Sequence, residues 1–115
     1  MASQHSSLTE ERWLDFTLDQ QILMIGNEMN RAKKLLDSAD IVGLRSCYER
    51  ILTLTDLTIR VNTKSTLRRE LLRWRDLIGE LFLSVEPNRC DHIAAFQLLL
   101  LFTPEASKQR QHVLS

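Results

Sequence analysis

Two segments of the chain place apolar residues at steps of 4, 3, 4, 3, 4. In the first they are Leu18, Ile22, Ile25, Met29, Ala32 and Leu36; in the second, Leu67, Leu71, Trp74, Ile78, Leu81 and Val85. A strand cannot use that spacing, because its side chains alternate with period two. On a helix turning about 100° per residue, the first stripe, carried back to Leu14, falls in a sector of roughly 80°. A narrow seam with a heptad-like step favours nearly parallel packing of one helix on the next.

The intervening segment carries a related stripe, Ile41, Leu44, Tyr48, Ile51, Thr55 and Ile59, with Leu52 at its margin. Beside it runs a second apolar row, Cys47, Leu54, Leu57 and Val61. Only three Gly and two Pro interrupt 115 residues, so long stretches lack a helix breaker. That length suits one hydrophobic core. The expected fold is all-α: one domain over residues 1–115, built as an antiparallel up-down-up-down four-helix bundle with a short C-terminal helix or tail. Residues 1–7 and about 104–115 are expected as its looser ends.

Boundary signals place the elements. Ser7-Leu8-Thr9-Glu10 has the form of a capping box, with Thr9 as a competing cap, and predicts one long helix to about Asp37. Ser38 or Asp40 caps a second helix over Ile41–Val61. A third runs from about Thr66 to Val85. Pro87 ends it and Asn88 caps a fourth, with Asp91 at the favourable end of the helix dipole. Thr103-Pro104-Glu105 starts a short terminal helix toward His112. Trp13 and Phe16 flank the first stripe and are expected to cover one end. Gly26 allows a close helix contact.

Catalytic patterns are missing. No Glu-x-x-His pair of the kind that holds metals inside bundles is present. Cys90-Asp91-His92 would need Cys47 to complete a zinc site; the plainer reading is a helix start with His92 at the surface. Glu11, Asp15 and Asp19 form an acidic strip on the first helix, read as a solvated face. No nucleophile elbow, P-loop or dinucleotide fingerprint occurs. Neither an enzymatic activity nor a cofactor or metal is expected, and a bundle enzyme using carboxylates with a divalent ion is the least favoured alternative.

Charge is balanced overall, with fifteen basic and fifteen acidic side chains. It is uneven locally: between Arg60 and Asp76 six basic residues oppose two acidic ones. Arg60, Lys64, Arg68 and Arg75 are the candidate anion-binding residues, and nucleic acid is the alternative partner. No aromatic platform accompanies them, since Trp74 belongs to the core stripe. A helix-turn-helix made of the second and third segments is disfavoured by their length and by stripes that imply shallow crossing.

Apolar surplus is the stronger signal. Ile93 to Phe102 is a ten-residue run broken only by Gln97, about half of what a membrane span needs. Three neighbouring helices cover one side of such a helix, not all of it. Leu98, Leu101 and Phe102, the row Leu54, Leu57 and Val61, and the row Leu72 and Leu83 are therefore the candidate interface residues. The expected role is a small helical interaction module whose partner is itself, as a homodimer or larger assembly, or another helical protein, with no membrane involved. Residues 1–7 lack the basic and apolar regions of a signal peptide, so a cytoplasmic location is expected.

Overall fold

The computed structural model describes residues 9–111. In chain order the helices are α1 (Glu10–Trp13), α2 (Leu18–Asp37), α3 (Ile41–Val61), α4 (Ser65–Leu83), α5 (Arg89–Leu100) and α6 (Pro104–Ser107). α2 lies against α3 and α5, and α4 lies against the same two, so the four long helices close a ring. Connections of three, three and five residues make ring neighbours antiparallel. The fold is the expected all-α four-helix bundle, with α1 packed on α3 and α6 on α2.

The single long first helix is not what forms. Thr17 caps a new helix: its hydroxyl accepts from the Gln20 N–H at 3.2 Å, while the Gln20 side chain accepts from the Thr17 N–H at 2.9 Å. That reciprocal pair outcompetes continuation through Phe16. Thr9 caps the separate turn α1, and Ser7 lies outside the described residues. The elbow swings Trp13 fully into the core, where its indole N–H donates to the Thr58 hydroxyl at 2.9 Å. Gln21 holds the elbow from inside, donating from Nε2 to the Trp13 and Phe16 carbonyls, each at 3.0 Å. Leu14, expected in the stripe, is instead 60% exposed.

The α2–α3 corner is a Schellman motif. The Ala39 N–H reaches the Leu36 carbonyl and the Asp40 N–H reaches the Leu35 carbonyl, with Ala39 at φ 57°. Asp40 then caps α3 by accepting from the Gly43 N–H at 3.0 Å. α3 spans the expected residues. Ile41 lies outside its buried face, but Leu44, Tyr48, Ile51 and Thr55 are all buried. α4 stops before Val85, which is almost fully exposed, because Ser84 turns extended ahead of Pro87. Asn88 caps α5 through the N–H groups of Cys90 and Asp91.

Both rows of α3 contribute to one core with Ile22, Ile25 and Met29 of α2, Leu71, Trp74 and Ile78 of α4, and Phe96, Leu99 and Leu100 of α5. Gly26 is buried beneath Phe96 and Leu100, which brings α5 close onto α2. The Trp74 indole N–H crosses to the Ala95 carbonyl at 2.8 Å, tying α4 to α5. No described helix is long and apolar enough to cross a membrane.

Candidate functional site

α5 is too short to cover α4 along its length, and the seam between them stays open. At one end a groove of about 720 Å³ forms between the start of α4 and the end of α5. Leu67, Trp74, Leu77, Leu98, Leu101 and Phe102, with Leu18 of α2, supply its apolar lining, and Lys64, Glu70 and Arg73 line it as well. At the other end a smaller groove of about 430 Å³ follows the same two helices. Its charged lining is Glu80, Glu86 and Asp91. Leu77 and Leu98 line both grooves. Leu98 and Leu101 are 47% and 52% exposed, and Phe102 is half-buried. α6 does not cover them, since Ala106 anchors it on α2 instead.

The other rows named from the sequence divide. Leu72 and Leu83 are exposed, on the face of α4 turned away from the seam. Leu54 and Leu57 are buried, and Val61 is partly buried against the same core. The reading of these three as a free interface row is therefore corrected: α3 sits between α2 and α4, with α1 on it too, and its second apolar side is spent inside the molecule.

The basic segment does not assemble into a patch. Arg68 points back at the end of α3, donating from Nε to the Ile59 and Asn62 carbonyls at 2.9 and 2.7 Å and from Nη2 to Arg60 O at 3.2 Å. It satisfies carbonyls that a helix end leaves open, so it is a structural cap rather than a free cation. Arg75 crosses to α3 and forms a two-pronged pair with Asp56. Arg73 pairs with Glu70 at 3.0 Å on the surface. Arg60 and Lys64 remain exposed without an ion pair among the described residues.

His92, expected at the surface, is completely buried. It sits where α2, α3 and α5 meet, with Nδ1 2.8 Å from the Tyr48 hydroxyl and Nε2 2.9 Å from the Met29 carbonyl. A carbonyl only accepts, so Nε2 carries the proton; Nδ1 of the neutral ring then accepts from Tyr48. Burial pushes the His92 pKa below its usual value, opposed by the Met29 carbonyl and reinforced by the nearby charges of Lys33 and Arg89. Burial also raises the Tyr48 phenol well above its usual range. Both hydrogen-bond sites of the ring are filled, which leaves it no free nitrogen for a metal or a substrate. The signal for this was present: His92, Ala95, Phe96 and Leu99 share one helical face at i, i+3, i+4 and i+7.

Cys47 is buried, with Sγ 3.2 Å from the Glu28 carbonyl, and its pKa is pushed up to about 12 by burial and then by the Glu28 charge. It is a protonated, inert thiol. Cys90 is exposed. Among the described residues no three His, Cys, Asp or Glu side chains come together as a metal site, so Cys47, Cys90 and His92 are not neighbours in that sense. Nor do Glu11, Asp15 and Asp19 share one helix, because the elbow at Thr17 divides them. Asp19 tucks Oδ1 out of solvent with no hydrogen-bond partner among the described residues; its place in the first turn of α2 puts it in the favourable field of that helix end.

Comparison with known protein families, curated proteins and solved structures finds no match to this chain.

Proposed function

We propose that the protein is a small helical interaction module that works as a homo-oligomer, docking through the open α4–α5 seam. One observation carries the reading. Leu77, Leu98 and Leu101 are 38%, 47% and 52% exposed along one groove, whereas Phe96, Leu99 and Leu100 of α5 are buried. Surface apolar residues are ordinary when scattered and informative when contiguous and concave. Among the described residues, the larger groove is lined mainly by apolar side chains, and neither groove pairs a nucleophile with a base, which fits docking better than chemistry.

A polyanion-binding role draws less support. Two of its four expected cations, Arg68 and Arg75, are engaged inside the fold. A cytoplasmic setting belongs to the same proposal, and the free thiols of Cys47 and Cys90 suit a reducing compartment.

Sedimentation velocity across the micromolar range tests the reading. The expected result is a concentration-dependent dimer or larger species, shifted to monomer by Leu98→Asp with Leu101→Asp. A wild-type chain that stays monomeric throughout refutes it.

A further inference from the structure

The charges along the α4–α5 seam are polarised. α4 and α5 run antiparallel, so the start of α4 and the end of α5 form one pole of the face. The end of α4 and the start of α5 form the other. At the first pole the groove is lined by Lys64 and Arg73 with Glu70, a net charge of +1. At the second it is lined by Glu80, Glu86 and Asp91 and, among the described residues, by no basic side chain, a net charge of −3. Leu77 and Leu98, shared by both grooves, are the apolar midpoint.

We infer that the occupant of this seam is a second copy of the chain, docked about a two-fold axis through Leu77 and Leu98 so that the basic pole of each copy meets the acidic pole of the other. The inference rests on the oligomeric reading above and specifies its geometry. A two-fold contact uses the same patch on both partners, so the patch must be complementary to itself. A face with an apolar centre and opposite charges at its two ends has that property when one copy is reversed. A uniformly charged face does not.

The side chains at the poles are free to make the exchange. Lys64 has no ion-pair partner among the described residues. The Arg73–Glu70 pair joins neighbours three apart on α4, and both side chains are more than half exposed. Such a pair holds its partners weakly, so Arg73 can turn to a carboxylate of the other copy. Glu80, Glu86 and Asp91 make no ion pair among the described residues. The face is also long enough. Nineteen residues of α4 extend about 28 Å, and two helices side by side give a patch on the order of 500 Å² in projection. With side-chain relief that approaches the roughly 800 Å² per partner of specific interfaces.

Charge reversal tests the geometry independently of the oligomeric state. One double variant, Glu80→Lys with Glu86→Lys, makes both poles basic. The other, Lys64→Glu with Arg73→Glu, makes both poles acidic. All four positions are exposed, and circular dichroism checks that the helices persist. Each variant alone is expected to dimerise at least about tenfold more weakly than wild type at low salt. An equimolar mixture is expected to restore a mixed dimer, because both poles then match. Leu83→Glu, on the far face of α4, is expected to leave wild-type dimerisation unchanged. A wild-type dimer that both double variants retain overturns the inference while leaving docking through the seam intact; one that Leu83→Glu abolishes overturns seam docking as well. A wild-type monomer overturns both.

Discussion

Removing one oxygen, by Tyr48→Phe, isolates the polar contact at the centre of the three-helix junction. The ring of Tyr48 is completely buried and its packing is kept by Phe. What is lost is the hydroxyl that donates to His92 Nδ1 at 2.8 Å. The remaining imidazole nitrogen is then buried with no donor, and a buried group left unpaired costs about 1–3 kcal/mol. Unfolding entropy scales with length, and 115 residues imply about 4 °C of melting temperature per kcal/mol. The expected fall is therefore about 4–12 °C at pH 7.5, measured by circular dichroism or calorimetry.

The same contact predicts a pH dependence. Unfolded His titrates near 6.5, whereas folded His92 titrates lower. Above about 6.5 both states are neutral and the full stability is present. As pH falls below that value the unfolded chain takes up a proton that the folded chain resists, and stability is lost until the folded pKa is passed. One proton limits the slope to about 1.4 kcal/mol per pH unit. The charges facing the ring are Lys33 and Asp37 on α2 and Arg89 on α5, with the neutral Tyr48 on α3. His92→Gln should flatten the wild-type loss between pH 7 and 5. A Tyr48→Phe melting point within about 2 °C of wild type, or an unchanged acid slope in His92→Gln, would refute this account of the junction.

Further outcomes are expected at the two helix corners and at the thiols. Ala39→Gly should raise stability by about 0.5–1 kcal/mol in chemical denaturation, because Ala39 occupies the left-handed region at the Schellman corner; Gly43→Ala should lower it, since the new Cβ would lie 2.7 Å from Asp40 Oδ2 and disturb the α3 cap. Arg68→Ala should cost about 1–3 kcal/mol by freeing the carbonyls it holds at the α3–α4 corner, whereas Arg60→Ala should fall within about 0.5 kcal/mol of wild type. In native protein a thiol reagent should modify Cys90 rapidly and Cys47 only on unfolding, as read by mass spectrometry.

The helices were legible wherever one period or one cap dominated. The limits of α3 could be read from Asp40 and from the polar turn after Val61, and Asn88 marked α5. The break at Thr17 was written in Thr17-Leu18-Asp19-Gln20, a capping box as good as the one at Ser7, but the apolar spacing runs through it with Leu14 and hides it. Leu54 and Leu57 look like surplus only until α1 and α4 are placed against α3; ring order is a tertiary property that the spacing within one helix does not hold. The seam grooves were half legible. The sequence identified Leu98 and Leu101 as uncovered, but the joining of Lys64 with Arg73 at one end, and of Glu80 with Asp91 at the other, depends on α5 lying antiparallel to α4.

The Gln21 side chain also fixes an order of events. Its amide nitrogen binds the Trp13 and Phe16 carbonyls, and its amide oxygen accepts from Asn62 Nδ2 at 3.0 Å. With the Trp13–Thr58 bond, this closes the N-terminal turn onto a site 45 residues further along the chain. Such a turn has nothing to dock on until the hairpin of α2 and α3 exists. It should close last during folding and open first when the native state fluctuates. The two tryptophans make this visible: Trp13 belongs to the latch and Trp74 to the seam between α4 and α5. In native-state exchange at low denaturant, the Trp13 indole proton should be released at a lower free energy than that of Trp74. Equal protection of the two would mean that latch and bundle open as one.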